Sequence, residues 1–262
     1  QLEENLAELL TAVCRPDGTP ARIARIDADS TRGKGQLEQQ LAQVHAGAVD
    51  VLVGTQMIAK GHDFRRVTLV AAVNPDAALF SSDFRAPERL FALLMQSAGR
   101  AGRDAAQSAA SEMWVQTQNA QHPLFAALKA HDYPGFAAAQ LAERAQAGLP
   151  PFTHLALLRA DARSQDAAQG FLSAFAQMAQ QRLAADPALA DALAPISWYP
   201  AVPLPVQRVA GIERAQMLLE SPARAALQRV LAAGQPLLHA LRADPAHRAI
   251  VRWAIDVDPL AM

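Results

Sequence analysis

Two short stretches of the sequence combine small residues with side chains that can hold phosphate. The first, residues 54–64, reads Gly-Thr-Gln-Met-Ile-Ala-Lys-Gly-His-Asp-Phe and follows an apolar run. Gly54 and Gly61 let a ligand come close to the backbone, which a side chain would hinder. Thr55 offers a hydroxyl group and Lys60 a positive charge, so the stretch predicts contacts to a nucleic-acid backbone that do not read base sequence. The alternative is an ordinary loop after a strand, with a turn glycine.

The second stretch, residues 96–103, reads Gln-Ser-Ala-Gly-Arg-Ala-Gly-Arg. Arg100 and Arg103 are three residues apart, a spacing that places two side chains on one face of a helix. The small residues around them leave room for a bulky anion. In nucleotide hydrolases an arginine at the γ-phosphate stabilises the charge of the transition state and accelerates hydrolysis by about 10³–10⁵. The alternative is a helix end rich in glycine and alanine whose arginines are solvated.

The elements around these stretches predict a parallel sheet. Apolar runs typical of strands occupy residues 21–26, 49–53, 68–73 and 113–117. Helical spacing covers residues 1–13, 34–45, 87–97 and, for the most part, 121–149. Because strands and helices alternate, we expect the sheet to be covered on both faces. In such sheets chemistry collects at the carboxyl ends of the strands, where Thr55 and Asn74-Pro75-Asp76 lie.

A second domain is predicted after the turn signal Gly148-Leu149-Pro150-Pro151. Its apolar runs predict strands over residues 155–159, 196–199, 215–219 and 250–257. Two helices are predicted over residues 165–183 and 224–241, the second interrupted near Gly234-Gln235-Pro236, and residues 200–205 predict a proline-rich bend. Phe171, Phe175 and Trp253 occur at the spacing of core residues. We therefore expect a small α+β domain.

The composition is typical of a two-domain protein with a sizeable core. Of the 262 residues, 51% are hydrophobic and 19% are charged, and the net charge is −1. This balance argues against a protein whose whole surface binds nucleic acid, but it allows a local basic groove. No apolar stretch is long enough to span a membrane and residues 1–20 lack a signal peptide, so a cytoplasmic protein is expected. Cys14 is the single cysteine, which excludes an internal disulfide and a multi-cysteine zinc site.

The two phosphate-binding stretches resemble motifs V and VI of superfamily 2 helicases, and residues 96–103 fit the Gln-x-x-Gly-Arg-x-Gly-Arg pattern of motif VI. Three segments narrow the resemblance: residues 60–64, residues 78–89 (Ala-Leu-Phe-Ser-Ser-Asp-Phe-Arg-Ala-Pro-Glu-Arg) and residues 251–259 (Val-Arg-Trp-Ala-Ile-Asp-Val-Asp-Pro). They are similar to the primosomal protein N′ family of replication-restart helicases. The resemblance implies a RecA-like second helicase lobe over residues 1–118, a helical linker over residues 119–150, and an α+β domain that binds DNA and partners over residues 151–262.

The same resemblance implies a role for each candidate residue. Arg100 and Arg103 are the catalytic residues and face ATP bound on another lobe, with Arg103 as the arginine finger. The residues implied for nucleotide binding are Gln96, Asp63 and Gly61. The residues implied for DNA binding are Thr55, Lys60, Arg208 and Arg214.

The implied cofactors are ATP and Mg²⁺, bound mainly by a lobe that this chain lacks. The sequence contains neither a Gly-x-x-x-x-Gly-Lys-Ser/Thr loop for the β- and γ-phosphates nor an Asp-Glu metal box. No metal site is predicted here: Asn74 stands where the family has an aspartate, and zinc is expected only upstream, where the family carries its zinc-binding cysteines. Because the chain starts abruptly inside a helical pattern, we expect it to be a piece of a longer protein. Alone, it is expected neither to hydrolyse ATP nor to bind zinc.

The C-terminal domain departs from the family pattern near Arg208 and Arg214. In the family this domain binds branched or single-stranded DNA and helps to engage single-stranded-DNA-binding protein. Gln216 and its strand fit the pattern, but the aromatic residues are missing and Glu213 repels phosphate. Base stacking, worth about 1–3 kcal/mol per base, is therefore not provided by this segment.

The leading hypothesis is a 3′→5′ DNA helicase of replication restart, with primosome proteins, single-stranded-DNA-binding protein and DNA as partners and no membrane. A non-enzymatic DNA-binding or scaffold module is the second hypothesis. Another superfamily 2 motor, such as a branch-migration helicase, is the third, and the segments Asp83-Phe84-Arg85 and 253–259 argue against it.

Overall fold

The computed structural model describes residues 2–27, 35–55, 64, 66–101 and 111–260. The chain divides into two compact units, Gln1–Ala137 and Ala138–Met262, and the division falls inside a helix. The three-part division at residues 118 and 150 stays a prediction. Within the described ranges, no helix has both the length and the apolar character needed to cross a membrane.

The first unit opens with one parallel pair of strands. Its elements are helix α1 (Leu2–Leu9), strand β1 (Ile23–Ile26), helix α2 (Gln36–His45) and strand β2 (Val51–Gly54). Ile23 lies opposite Val51, and Ile26 lies opposite Gly54. The carboxyl ends of both strands therefore meet at one edge.

Asp50 ties the start of β2 to the segment before β1. Its Oδ2 accepts a hydrogen bond from Nε of Arg15 at 2.7 Å and another from the backbone N–H of Arg22 at 2.8 Å. Arg15 also donates to the carbonyl oxygen of Ala48 at 2.8 Å. Residue 50 lies in a bend that these bonds hold, and β2 begins at Val51 and not at residue 49 as the apolar run predicts.

The second parallel pair of the first unit consists of β3 and β4. The elements are β3 (Leu69–Val73), α3 (Asp76–Leu79), α4 (Ala86–Ala98), β4 (Glu112–Gln116), α5 (Pro123–Ala130) and α6 (Tyr133–Ala147). Leu69 lies opposite Glu112, and Val73 lies opposite Gln116. The parallel direction of both strand pairs confirms the prediction.

An apolar cluster fixes α4 on this second pair. Phe91 and Leu94 are 1% and 2% exposed and lie on one face of the helix, three residues apart. They pack with Leu124 of α5, and the ring of Phe91 stacks on that of Phe136 with 4.4 Å between the ring centres. Complete burial of one such side chain stabilises the fold by about 1.5–3 kcal/mol.

The described residues of this unit form two separate strand pairs, which corrects the prediction of one sheet covered on both faces. On β4, Met113 and Val115 pack against the apolar cluster. On the opposite side of the β3–β4 pair, Leu69, Val73 and Trp114 are 47%, 51% and 59% exposed. An apolar run indicates that a strand is buried but does not specify its neighbour, because pairing depends on distant parts of the chain.

The second unit is built on an antiparallel sheet. Its strands are β5 (His154–Ala162), β6 (Ser197–Trp198), β7 (Val202–Val209), β8 (Ile212–Ser221) and β9 (Ile250–Val257). Its remaining elements are α7 (Gln165–Ala184), α8 (Pro187–Leu193), α9 (Arg224–Ala243) and a 3₁₀ turn (Pro245–His247). The strand order is β6-β8-β5-β9, with β7 also paired to β8.

Helices α7 and α9 cover one face of this sheet. Phe171 and Phe175 of α7 are 0% and 1% exposed and pack with alternate residues of β5 and β8, so their predicted place in the core is confirmed. Trp253 of β9 packs partly buried against the same cluster, with its ring 5.0 Å from that of His239.

Two predictions for the second unit are wrong. The expected proline-rich bend is strand β7, whose prolines are tolerated because β7 pairs only with β8 in the described sheet. β7 and β8 meet at Ala210 and Gly211, whose φ angles of +49° and +82° suit a two-residue hairpin turn. Helix α9 continues through Gly234 and Pro236 without interruption, because its packing on α7 outweighs their low helix propensity.

Candidate functional site

Thr55 follows the carboxyl end of β2, and its side chain is exposed. Because Ile26 is opposite Gly54, the next residues, Asp27 and Thr55, leave the strand pair side by side. Arg25 forms an ion pair with Asp27, which offsets the negative charge beside the threonine. This edge therefore offers a hydroxyl group to an anion next to a neutralised carboxylate.

Gln96 and Arg100 lie at the carboxyl end of α4. Gln96 is exposed, whereas Arg100 is half-buried and its Nε is shielded from solvent. The backbone N–H of Arg100 donates to the carbonyl oxygen of Ser97 at 3.0 Å, which forms a tight turn after the helix. A half-buried guanidinium attracts phosphate more strongly than a solvated one, because the surrounding dielectric is lower.

The segment 78–89 forms the entry to α4. Oδ1 of Asp83 accepts a hydrogen bond from the backbone N–H of Arg85 at 2.9 Å, and Oδ2 lies 2.8 Å from Nη1 of Arg89. The guanidinium carbon of Arg85 lies 4.5 Å from the centre of the Phe84 ring. These contacts set the start of the helix that presents Gln96 and Arg100.

Four predicted site residues lie outside the described residues: Lys60, Gly61, Asp63 and Arg103. Their roles stay predictions. Of the described candidates, Thr55 follows β2, whereas Arg100 follows the helix that packs on β3 and β4. The described residues therefore do not bring Thr55 and Arg100 to the edge of one sheet.

A polar cluster around Asp76 joins the carboxyl ends of β3 and β4. Oδ1 of Asp76 accepts hydrogen bonds from the Thr117 hydroxyl at 2.6 Å and from Nδ2 of Asn119 at 2.9 Å. Oδ2 accepts one from the backbone N–H of Gln118 at 3.0 Å. These donors hold the pKa of Asp76 below its usual range, and the Thr117 hydroxyl has the largest effect. The ionised carboxylate thus fixes the loop after β4 to the start of α3.

The Asp76 cluster borders a cavity of about 380 Å³. The lining residues are Asn74, Asp76, Gln116, Thr117 and Gln118. Asn74 has a left-handed backbone with φ of +50°. The sequence predicts Asp76 at a strand end, but it does not single out the partners Thr117 and Asn119. A signal for them existed, since Thr117 directly follows the strand that is parallel to β3.

Arg208 and Arg214 lie on opposite faces of the C-terminal sheet. Arg208 is opposite Glu213 in the β7–β8 hairpin, with 3.4 Å between Nε and Oε1. Cross-strand neighbours share a face, whereas consecutive residues of one strand point to opposite faces. Arg214, which follows Glu213 on β8, therefore faces away from Arg208.

Arg214 belongs instead to a group that we name the Asp161 cluster, formed by Asp161, Arg214 and Arg252. Asp161 on β5 lies directly opposite Arg214 on β8 and opposite Arg252 on β9. Its Oδ2 accepts a hydrogen bond from Nε of Arg252 at 2.5 Å, and its Oδ1 lies 3.7 Å from Nε of Arg214. Ala160 and Ala162 are fully buried in the core that α7 and α9 cover, so the cluster occupies the other face.

Asp161 and Arg252 were not predicted as site residues from the sequence. The signal for Asp161 lies in β5, where charged residues alternate with small core residues. Two positions earlier on the same face, Nη1 of Arg159 lies 3.4 Å from Oδ2 of Asp256. Within the described ranges, no three candidate metal ligands come together.

Two family profiles match consecutive parts of the chain. Residues 3–105 match the helicase conserved C-terminal domain, and residues 145–260 match the primosomal protein N C-terminal domain. The first profile includes the two stretches that are predicted to bind phosphate, and the second includes the Asp161 cluster. Together they indicate a RecA-like lobe followed by a primosomal domain.

Curated relatives are similar along most of the chain. Replication restart protein PriA of Haemophilus influenzae is 42% identical over 259 residues, which are 99% of this chain and 32% of that protein. Replication restart protein PriA of Treponema pallidum is 39% identical over 240 residues, 91% of this chain and 33% of that protein. The chain thus spans about a third of the length of these relatives. Among solved structures, the de novo designed protein Foldit4 covers 41% of this chain and 97% of its own at 5% identity, and its TM-score of 0.28 is too low to bear on the fold.

Proposed function

We propose that this chain, which belongs to the PriA family of replication restart proteins, is part of an ATP-dependent DNA helicase. That helicase moves 3′→5′, restarts stalled replication forks and loads the primosome. The observation that carries the proposal is the order of the two profiles, a helicase C-terminal domain over residues 3–105 and a primosomal C-terminal domain over residues 145–260. Relatives that match nearly the whole chain bear the name of replication restart proteins.

The proposed architecture follows the same division. Residues 1–118 form the second RecA-like lobe, so the strand pairs β1–β2 and β3–β4 both belong to one lobe. Residues 119–150 form a helical linker, and residues 151–262 form an α+β domain for DNA and partner proteins. The antiparallel sheet with helices on one face supports an α+β domain.

ATP is proposed to bind where this lobe meets the lobe that carries the phosphate-binding loop. Bound ATP supplies the γ-phosphoryl group, and Mg²⁺ neutralises its oxygens. In this chain Arg103 is the proposed finger and Arg100 its neighbour, while Gln96, Asp63 and Gly61 contact the nucleotide. The half-buried guanidinium of Arg100, held at the end of an anchored helix, supports an anion-binding role.

DNA is proposed to contact both units. In the first unit Thr55 and Lys60 hold the backbone, and the exposed hydroxyl beside the neutralised Asp27 supports this role for Thr55. In the second unit Arg208 and Arg214 were the candidates. Because they face opposite sides of the sheet, they cannot hold the same phosphate group. Single-stranded-DNA-binding protein and primosome proteins are the further proposed partners.

The test uses the complete gene product and its Arg103→Ala variant. We expect the unaltered protein to hydrolyse ATP in a DNA-stimulated manner and to unwind forked DNA. The variant should lose about 10³-fold or more in turnover, because the developing charge loses its guanidinium, and should still bind DNA. Arg182→Ala, which removes an exposed arginine of α7, is the matched control.

Two outcomes would contradict the helicase proposal. Normal turnover in Arg103→Ala would remove the finger assignment. DNA binding by the complete protein without any DNA-stimulated hydrolysis would favour the second function, a DNA-binding or scaffold module. This second function is retained as a candidate because these 262 residues contain no phosphate-binding loop.

A further inference from the structure

We propose that the Asp161 cluster binds a phosphate group of DNA, with Arg252 and Arg214 as ligands and Asp161 as a fixed counter-charge that limits affinity. The inference rests on the proposed function, since it assumes that the C-terminal domain meets DNA. Arg252, and the sheet face opposite α7 and α9, are thereby added to the proposed DNA contacts.

The charges of the cluster suit a phosphodiester. Two guanidinium groups share one carboxylate, so the cluster carries one uncompensated positive charge. Arg159 and Asp256, the next charged residues on this face, form an ion pair that adds no net charge. A phosphodiester carries one negative charge, and the planar guanidinium presents paired donors that match its oxygens.

In the Asp161 cluster the arginines are more accessible to an anion than the carboxylate is. The side chain of Arg252 is 75% exposed and that of Arg214 is 27% exposed, whereas that of Asp161 is 11% exposed. Nε of Arg214 is buried and has no hydrogen-bond partner among the described residues, since its 3.7 Å distance from Asp161 is too long for a hydrogen bond. An incoming phosphate therefore meets guanidinium groups while the carboxylate stays largely withdrawn from solvent.

The strand register holds the three side chains together. Adjacent positions on three hydrogen-bonded strands keep their spacing better than residues on loops do, which favours a defined site. Leu155 and Leu157, on the same face toward the start of β5, are only 3% and 2% exposed. The end of the face that carries Arg252 is accessible to solvent, whereas these two leucine side chains are covered.

The experiment measures binding of the complete protein to a labelled single strand and to a labelled fork between about 50 and 200 mM salt, where phosphate contacts dominate. Arg252→Ala and Arg214→Ala should each weaken binding about fivefold at low salt and reduce the slope of log affinity against log salt by about 1. Arg252→Lys, which keeps the charge, should retain most of the affinity. Arg182→Ala removes the same charge from the helix layer and should change binding little.

Asp161→Asn provides the sharpest test. It keeps the size of the side chain but removes the negative charge, so DNA binding should become tighter even if the fold loses some stability. A purely structural role for the cluster predicts the opposite, weaker binding in all the cluster variants in step with their unfolding midpoints in urea.

Several results would overturn the inference. One is an equal loss of DNA affinity in Arg182→Ala and in Arg252→Ala, which would show an effect of net charge alone. Another is unchanged DNA affinity in the arginine variants while binding of an acidic peptide falls, which would assign the face to a protein partner. Both leave the helicase proposal intact as long as the unaltered protein shows DNA-stimulated hydrolysis. If the unaltered protein shows no DNA-stimulated ATP hydrolysis, the proposed function is overturned instead.

Discussion

A Cβ atom added to Gly234 would lie 3.0 Å from Cζ and 3.2 Å from Cε2 of Phe175. Gly234 is in α9 and Phe175 is in α7, and Phe175 is only 1% exposed. The missing side chain lets the aromatic ring of one helix lie against the backbone of the other. A glycine that looks like a helix breaker in the sequence is therefore a packing residue.

Gly234→Ala is expected to destabilise the protein by about 1–2 kcal/mol. Overpacking of a rigid core costs about 1–3 kcal/mol, and the better helix propensity of alanine offsets up to about 1 kcal/mol. The control is Gly170→Ala in α7, where a Cβ meets nothing within 4 Å. That variant should be stabilised by up to about 1 kcal/mol. Urea unfolding measures both changes, and equal effects in the two variants would contradict the packing role.

Protonation of Asp76 is expected to make the protein less stable in acid. Its donors depress its pKa in the folded state, so its stabilising contribution is complete above the ordinary aspartate pKa of about 3.9 and is lost as pH falls through the lower folded value. Asp76→Asn should therefore be less stable than the unaltered protein at neutral pH, and the difference should shrink in acid. Unfolding midpoints measured across pH test this.

Thr117→Val isolates the main cause of that pKa shift. The Thr117 hydroxyl is the largest cause, so its removal should raise the pKa of Asp76 toward the ordinary value. A carbon-detected NMR titration of the carboxyl group reads this directly. An Asp76 that titrates at or above the ordinary value in the unaltered protein would show that these hydrogen bonds do not form.

Thr55→Ala is expected to uncouple DNA from ATP hydrolysis in the complete protein. The hydroxyl at the end of β2 is lost, so a higher DNA concentration should be needed for half-maximal stimulation, while hydrolysis without DNA is unchanged. Thr68→Ala alters another exposed threonine of the same unit and should behave like the unaltered protein. Normal DNA stimulation in Thr55→Ala would count against a DNA contact at this edge.

The 262-residue chain by itself is expected to release no phosphate from ATP, with or without single-stranded DNA. Its sequence contains no loop for the β- and γ-phosphates, so the arginines have no bound triphosphate to act on. The complete gene product in the same assay is the positive control. If the 262-residue chain hydrolyses ATP and its Arg103→Ala variant does not, the chain contains a complete ATP-hydrolysis site, which would contradict this prediction.

The sequence was most informative where neighbours along the chain decide the structure. Helix α4 and strand β9 follow from local periodicity, and the Gly-Arg spacing of residues 96–103 identified a helicase motif whose family profile matches the chain. Local signals failed at Pro203 and Gly234, because an edge strand tolerates proline and a close helix pair favours glycine. Both outcomes depend on partners far away in sequence.

Most strands and helices, and the resemblance to a family, could be predicted from the amino-acid sequence, because periodicity and motif spacing are properties of contiguous residues. The opposite orientations of Arg208 and Arg214, and the contact of Arg214 and Arg252 with the same Asp161, became visible in the folded sheet alone. Strand register sets those relationships, and a shift of one residue would turn each side chain to the other face. Register is fixed by pairing across the sheet between residues far apart in sequence, such as Arg252 and Asp161, which are hydrogen-bonded although they are 91 positions apart.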